Sequence, residues 1–496
     1  MISHPDNPNA TASTLPKVIV VGGGLAGMAA AVALQSAGAR VTLLEARKNL
    51  GGRASSYEHP TTGEELDNCQ HVLLGCCTNL LDFYDRLGVR HLIGFHHTVH
   101  FLDATGRRYD LQRTVGLPAP LHLGPAMLRF SVLSWSERLE LSRAMLALMR
   151  ISSAERDALG DMPFGRWLQE HGQSRSLVHK LYEPILIGAL NDACERSSSR
   201  YAIQVLQESL LNHADGYVLG LPRCPLSQLY ATLPIDDLRL GTRVQGLQFS
   251  GSAATGVMLQ NGEVLRGDAV VLATNYHTIG KWISVELRAR DRRFAMLDHL
   301  ESMPILGAHL VFDRPVLRES HAALIDGPLQ WLFRKDADGC AVHGVISAAQ
   351  DWVDRDRDEC VQLFTDQLRQ TLPMARGSHL IRSAIVVEKR ATFVPSPGVD
   401  RWRPNQAADS AGIANLFLAG DYTNTGWPAT MEGAVRSGYL AAEAVLRLRG
   451  WQNRFIVPNL SPQWPSRLLG RIGKNANRIP NRRPFVLEYP AEPVKG

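Results

Sequence analysis

Hydrophobic and polar positions fall into several distinct rhythms along the chain. Lys17 precedes four β-branched residues, Val18, Ile19, Val20 and Val21, a run that predicts a buried strand. A glycine turn follows, Gly22-Gly23-Gly24-Leu25-Ala26-Gly27. An Ala-rich run to about Ala37 then predicts a helix, Gly38 its stop, and residues 40–44 a second strand ending at Glu45. Further on, Tyr57 and the turn 60–63 suggest a short hairpin, 78–87 a helix, and 98–103 with 108–111 a strand pair. Ser134 and Glu137 make a capping box. The helix behind it places Leu141, Met145 and Leu148 on one face. Residues 164–191 and 198–211 read as helices, and 213–225 as a Gly/Pro loop. Strand patterns then dominate at 243–249, 256–260 and 263–266, with an Asn261-Gly262 hairpin signal, and at 270–274. Strands at 305–312, 329–333, 344–348 and 381–389 extend a second sheet, with an amphipathic helix at 358–372. Last, an apolar run at 415–419 enters Gly420-Asp421, and an Ala-rich helix starts near Thr430.

The stretch 117–151 is unusually apolar. It fits either a core helix of a second domain or a surface that touches a membrane or admits a lipid-like substrate.

Composition narrows the classes. A chain of 496 residues can build two or more domains, and 45% hydrophobic with 20% charged residues fits a soluble globular protein. A net charge of +5 without a dense Lys/Arg run argues against nucleic acid as a partner. Seven cysteines without CxxC spacing argue against a disulfide framework and against a metal site; most read as small buried hydrophobes. Residues 1–16 form a polar lead expected to be disordered, with no signal-peptide pattern, and no run of 18 apolar residues predicts a membrane span. The expectation is a cytoplasmic protein. The tail 450–496 is basic, with Arg454, Arg467, Arg471, Lys474, Arg478, Arg482, Arg483 and Lys495 against Glu488 and Glu492. It reads as a solvated tail or as one drawn to the anionic inner face of the membrane, a peripheral contact.

The opening stretch carries chemistry. Gly22, Gly24 and Gly27 form G-x-G-x-x-G between a strand and a helix, the dinucleotide-binding arrangement. Gly22 allows the turn, Gly24 lets a pyrophosphate approach the backbone, and Gly27 lets helix and strand pack closely. The helix start offers free N–H groups to phosphate. Glu45, 18 residues beyond Gly27, can accept a ribose hydroxyl and disfavours a 2′-phosphate. Gly420-Asp421 repeats the logic of a strand end facing a helix start. Asp421 is expected to accept a cofactor hydroxyl, and the amides near Met431 to meet the cofactor's ring or phosphate end.

Together these motifs resemble the flavin amine oxidase and phytoene desaturase superfamily over nearly all of residues 17–448. Glu45-Ala46-Arg47 with Gly51-Gly52-Arg53 is similar to its E-A-R…G-G-R segment, which wraps the FAD pyrophosphate. Gly420-Asp421 with Met431-Glu432-Gly433-Ala434 resembles its C-terminal flavin motif, and Arg243-Val244 resembles the place where a valine backbone meets adenine. The resemblance implies FAD rather than NAD. Asp67-Asn68-Cys69-Gln70-His71-Val72-Leu73-Leu74-Gly75 is similar to the DNGQHVLLG stretch of the hydroxysqualene dehydroxylases, with Cys69 where that pattern has glycine. Ala189-Leu190-Asn191, Gly426-Trp427-Pro428-Ala429-Thr430 and the segment from Leu117 resemble the same group.

That resemblance implies an α/β fold: a Rossmann-like FAD-binding domain of the glutathione-reductase/amine-oxidase type with an inserted α+β substrate domain. The FAD domain takes 17–57, 225–280 and 410–449; the substrate domain takes 58–224 and 281–409. It implies reductive dehydroxylation of hydroxysqualene, a long-chain isoprenoid, to squalene, with an external reductant. The squalene could feed hopanoids, sterols or carotenoids. Asp67 and His71 become candidates for the acid that protonates the departing oxygen. Two alternatives stay open: a phytoene or carotenoid desaturase, and a non-enzymatic prenyl-lipid binder on the same fold.

Overall fold

The computed structural model describes residues 15–59 and 63–469. The polar lead up to residue 14 and the basic positions beyond residue 469 lie outside the described residues. A five-stranded sheet gathers distant stretches in the order Asp237–Arg239, Arg40–Leu44, Lys17–Val21, Ala269–Leu272 and Leu416–Leu418. All its pairings are parallel, with Val18 opposite Ala269 and Val41, and Val270 opposite Leu416. Apart from the edge strand Asp237–Arg239, the strands are buried almost throughout, which is why they read as unbroken apolar runs.

The nucleotide helix, Leu25–Ser36, starts at the C-terminal end of the central strand and is buried over most of its length. Its alanines exist for close packing. The closing helix, Met431–Arg447, lies against it, and a Cβ on Gly438 would collide with Ala26 O and sit 3.0 Å from Ala29 Cβ. A three-stranded meander, Val244–Ser250, Ala253–Leu259 and Val264–Arg266, sits beside this unit.

The second sheet has seven strands, in the order Leu380–Phe393, Ser302–Phe312, Ala341–Ile346, Trp331–Arg334, His321–Leu324, Thr98–Leu102 and Arg108–Gln112. Strand alternation splits its residues between two faces. Leu306, Ala308, Leu310, Leu332, Val342 and Ile346 form one core with Cys360, Phe364 and Leu368 of helix Arg357–Thr371. The register aligns His309, His343, Phe333 and His321 across the other face, with Gly307, Val345, Trp331 and Ala323 in the next row. A small sheet, Leu73–Leu74, Leu219–Pro222 and Ile93–His96, contributes Leu219 and Leu221 to an apolar cluster with Phe333 and Val345.

Two expectations need correction, and one strand was not predicted. Residues 164–191 are not one helix: Phe164–Glu170 ends before Gly172, at φ +64°, and the chain restarts at Ser174, whose side chain caps the next turn. Residues 213–225 are not all loop, because Leu219–Pro222 is the central strand of the small sheet. Gly220 sits there because a Cβ would lie 2.6 Å from Leu73 Cδ1. The strand His321–Leu324 has no counterpart among the predicted elements. The stretch 117–151 is divided between buried and exposed positions. Leu141, Ala144, Leu148 and Met149 are buried on helix Trp135–Arg150, while Trp135, Leu139 and Leu146 are exposed on it.

Candidate active site

The glycine loop closes on the second glycine segment. Gly51 N donates to Gly23 O at 2.8 Å, and Gly24 bridges Gly51. Gly24 caps the nucleotide helix without a side chain, and no acid occupies the first turn. The helix start is therefore free to meet an anion. A Cβ on Gly24 would meet only Gly52 Cα, at 4.0 Å, so the space over Gly24 is open, while Gly24 and Gly52 themselves approach closely, a Cβ on Gly52 lying 3.2 Å from Gly24 Cα. Gly22 has the opposite reason for lacking a side chain: φ is +112° and a Cβ would lie 2.6 Å from Ala273 O. A Cβ on Gly27 would strike Gly22 O. Leu25 and Ala26 are buried in the helix start.

Glu45 stands at the end of its strand, where Oε2 accepts from Gly23 N at 2.6 Å and Oε1 from Arg47 N at 2.8 Å. Ala46 is exposed beside it, and Arg47 Nη1 reaches Gly52 O at 3.4 Å. Thr242 N donates to Glu45 O, which brings the buried Val244 to this edge at a break in strand register.

The far end of the cradle is built from the closing segment. Arg53 Nη2 pairs with Asp421 Oδ1 at 2.6 Å, and Nη1 donates to Ala391 O. Burial works against the Arg53 charge, and Asp421 more than offsets it, so the guanidinium stays protonated. Met431 is the first residue of the closing helix, which Thr430 caps through Gly433 N. Sequence reading missed the groups that hold these pieces. Arg403 is fully buried and donates to the carbonyls of Asp421, Tyr422 and Thr423, fixing the loop after Gly420. Glu432 is also fully buried and accepts from Asn79 N, Asn79 Nδ2, Leu80 N and Arg436 Nε. It thereby ties the start of helix Thr78–Arg86 to the closing helix. Glu432 sat within the recognised motif, but nothing marked Arg403, because its partners are chosen by the fold.

The stretch from Asp67 to Gly75 turns beside this cradle. Asn68 Nδ2 donates to Arg53 O at 3.2 Å, and Asn68 N to Ser55 O. Asp67 is buried and fully engaged, accepting from Lys335 Nζ at 2.8 Å, Ser56 Oγ at 2.9 Å and Leu226 N at 3.0 Å. Burial opposes its charge, but Lys335 and these donors outweigh that and hold its pKa below the usual carboxylate range. His71 Nδ1 lies 3.3 Å from Cys69 O, a carbonyl, so Nδ1 carries the proton. Burial keeps the His71 ring below the ordinary imidazole range. His309 stands nearby, its Nε2 3.2 Å from Asp67 O, and burial holds it down to about 4. Cys69 has φ +63°, the conformation glycine adopts freely, which explains the glycine of the related pattern. Its thiol is buried and pushed up to about 12 by burial and by Glu388. Asn191 is also structural, bonding Met303 O, Thr392 Oγ1 and Ala348 N.

Among the described residues, two buried polar atoms at the cradle lack a protein partner, Thr274 Oγ1 and Tyr422 OH. Gly22 packs on Thr274 and Gly420 on the Tyr422 ring. Open backbone over Gly24, an uncapped helix start, a terminal acid and two waiting hydroxyls fit a dinucleotide. The sequence profile of the flavin-containing amine oxidoreductases matches residues 25–446. The chain belongs to this family. As a flavin-containing amine oxidoreductase it uses FAD, and the open backbone over Gly24 at the helix start suits the pyrophosphate.

The chain is similar to several characterised proteins. The hydroxysqualene dehydroxylase of Zymomonas mobilis subsp. mobilis is 26% identical over 86% of this chain and 98% of that protein. The 15-cis-phytoene desaturase of Glycine max is 25% identical over 87% of this chain and 79% of that protein. Cyclohexylamine oxidase from Brevibacterium oxydans shares the fold, with a TM-score of 0.63 at 17% identity, over 88% of this chain and 99% of that one. This oxidoreductase has all seven cysteines free, and among its described residues no cluster of His, Cys, Asp and Glu could hold a metal.

Proposed function

We propose that this flavoenzyme reductively dehydroxylates hydroxysqualene to squalene. One observation carries the reading: an apolar band lies beside the cofactor end of the cradle. Leu219, Leu221, Phe333 and Val345 form it, with Val72, Leu74, Ile305 and Trp331 packed against them. Val72 follows His71 directly, so the band begins where the Asp67–Gly75 stretch turns beside Arg53. These side chains are buried against one another, and an apolar interior beside the cofactor end suits an isoprenoid chain rather than a small charged amine. The similarity to a hydroxysqualene dehydroxylase over nearly all of that protein's length supports the same substrate class.

Reduced FAD, when bound, supplies the hydride that replaces oxygen at the allylic carbon. The carbon–oxygen bond breaks, and the oxygen takes up one proton and leaves as water. The chain's own residues bind the hydrocarbon, exclude solvent and manage that proton. Asp67 is ionised and paired, so its part in this reading is to hold the Lys335 ammonium beside the histidines. His71, neutral with a bare Nε2, passes a proton rather than storing one. A two-electron donor of the nicotinamide or reduced-flavin class completes the balance.

Delivery of so apolar a substrate favours contact with a membrane surface. Among the described residues no helix is long and apolar enough to cross a membrane. Leu128, Trp135 and Leu468 are instead 62%, 72% and 78% exposed. Helices Trp135–Arg150 and Trp464–Leu469 pack together, and Arg129, Arg143, Arg150 and Arg467 are exposed around them. Apolar and basic side chains on one face suit an anionic lipid surface.

A desaturase is the second reading, favoured by the phytoene desaturase relatives. The test is anaerobic incubation of the yellow protein with hydroxysqualene and dithionite-reduced flavin, followed by hydrocarbon analysis. Squalene is expected. Its absence, with conversion of phytoene under oxidising conditions, would overturn the first reading.

A further inference from the structure

One side chain from the second sheet grips the turn that carries His71. Lys335 follows strand Trp331–Arg334 directly, and its backbone N–H donates to Ala341 O, so its Cα is fixed to the sheet. Its ammonium donates to Asp67 Oδ2 at 2.8 Å and to Gln70 Oε1 at 3.2 Å. Those two acceptors flank Asn68 and Cys69. An ammonium has three donors on a flexible stem and can serve both at once. Lys335 therefore bridges the turn from one end to the other.

The ends are not held alike. Asp67 also accepts from Ser56 Oγ and Leu226 N. Among the described residues, Gln70 Oε1 has Lys335 as its donor and no other. The Gln70 amide nitrogen reaches on to His71 O at 3.3 Å. Between the ends stands Cys69, at φ +63°. A residue with a Cβ keeps that conformation only while its surroundings hold it.

The peptide that follows Cys69 carries the Cys69 carbonyl, and its other half is the Gln70 N–H. Its orientation is set by the left-handed residue on one side and by the gripped residue on the other. The Cys69 carbonyl is the partner of His71 Nδ1, at 3.3 Å. Burial keeps the His71 ring neutral, so its single N–H is on Nδ1 or on Nε2. An acceptor aimed at Nδ1 draws the proton there and leaves Nε2 bare.

We propose that Lys335 is a positioning residue for His71: by bonding Asp67 and Gln70 together it staples the turn across left-handed Cys69 and aims the Cys69 carbonyl at His71 Nδ1. The inference rests on the dehydroxylase reading in taking His71 as the ring that passes the proton, and it adds the group that sets which nitrogen does so.

The test uses the FAD-loaded full chain with isotope-labelled histidine, the His71 signal being the one lost in His71→Asn. Wild type should show His71 as the Nδ1–H tautomer. Lys335→Met should show both tautomers. Its kcat for squalene formation should fall at least about tenfold, with KM within about twofold. Lys335→Arg keeps a cationic donor and should restore the tautomer and most of kcat. Glycine holds a left-handed turn unaided, so in a Cys69→Gly background the loss from Lys335→Met should shrink at least about threefold. If Lys335→Met does not hold FAD, Gln70→Leu decides, because it removes one arm of the staple and leaves the Asp67 pair. A His71 ring that stays wholly Nδ1–H in Lys335→Met, or in Gln70→Leu where that variant decides, overturns the assignment. So does a loss undiminished by Cys69→Gly. If wild type makes no squalene, the dehydroxylase reading falls, and the tautomer still decides whether Lys335 positions the ring.

Discussion

Gly24→Ala separates the needs of the cofactor from the needs of the fold. Gly24 has φ −76° and ψ 176°, which alanine adopts without strain. The new Cβ would meet nothing closer than Gly52 Cα at 4.0 Å. Alanine is a poorer N-cap than glycine, at a cost of up to about 1 kcal/mol, and a stiffer unfolded chain returns about 0.4–1 kcal/mol. The apoprotein should therefore keep its stability within about 1 kcal/mol. The cofactor would meet a different situation, because on this reading the methyl occupies the open space over Gly24 where the pyrophosphate approaches the helix start. Loss of one charge-assisted hydrogen bond is worth about 1.5–3 kcal/mol, or roughly ten- to 150-fold in Kd. The assay is FAD titration of apoprotein by flavin fluorescence quenching, beside urea unfolding of the same sample. Gly27→Ala is the control, since its Cβ would strike Gly22 O and lie 3.0 Å from Ala273 Cβ. That variant should destabilise the apoprotein itself by about 1–3 kcal/mol. Normal FAD affinity in Gly24→Ala would refute the placement of the pyrophosphate.

Other outcomes follow from the same geometry. Asp67→Asn should destabilise the protein at pH 7 by about 1–3 kcal/mol, less than a fully buried pair because Lys335 is part-exposed. The folded-state pKa of Asp67 is depressed, so its contribution is present above the unfolded value of about 3.9 and lost as pH falls through the folded one; urea midpoints of the two proteins should converge as the pH is lowered past that depressed value. Cys69→Gly should change stability by less than about 1 kcal/mol, because relief of the φ +63° conformation offsets lost burial and added chain entropy. The native Cys69 thiol, buried and pushed up to about 12, should resist iodoacetamide at pH 8 until the protein is unfolded, as read by peptide mass. Trp135→Ser with Leu468→Ser should weaken sedimentation with anionic vesicles by at least about tenfold while flavin content stays normal; unchanged sedimentation would refute the membrane face.

The cofactor half of the site could be read from the chain because its signals are local. Strand, glycine turn, helix and Glu45 all fall within one βαβ unit, so each supports the next. Gly420-Asp421 and Thr430 likewise sit in one strand–loop–helix segment. The groups that hold these segments together were not readable. Arg403 bonds three carbonyls that any sequence would supply, and Lys335 finds Asp67 across 268 positions. His343 meets His309 only through strand register, and a one-residue slip would turn it to the opposite face. Cys69 shows the middle case. Its departure from glycine was visible in the sequence, but the left-handed backbone that gives the departure meaning appears only in the fold. The strand Leu219–Pro222 was hidden for a related reason: its glycine and proline are turn residues by composition, and only close approach of Leu73 and Ile93 makes Gly220 a strand residue.

The closing segment and the second sheet are joined through a short path of side chains. Arg53 pairs with Asp421 in the closing segment and presents its own carbonyl to Asn68 Nδ2. Asn68 also reaches Glu388, on the edge strand next to Ile305, at 3.4 Å. The residue after Asn68 is Cys69, whose sulfur would lie 3.4 Å from a Cβ on Gly307. Arg53 thus ties the Cys69 turn to the closing segment, while the sheet beneath Gly307 is held from behind by Phe364 and Leu368.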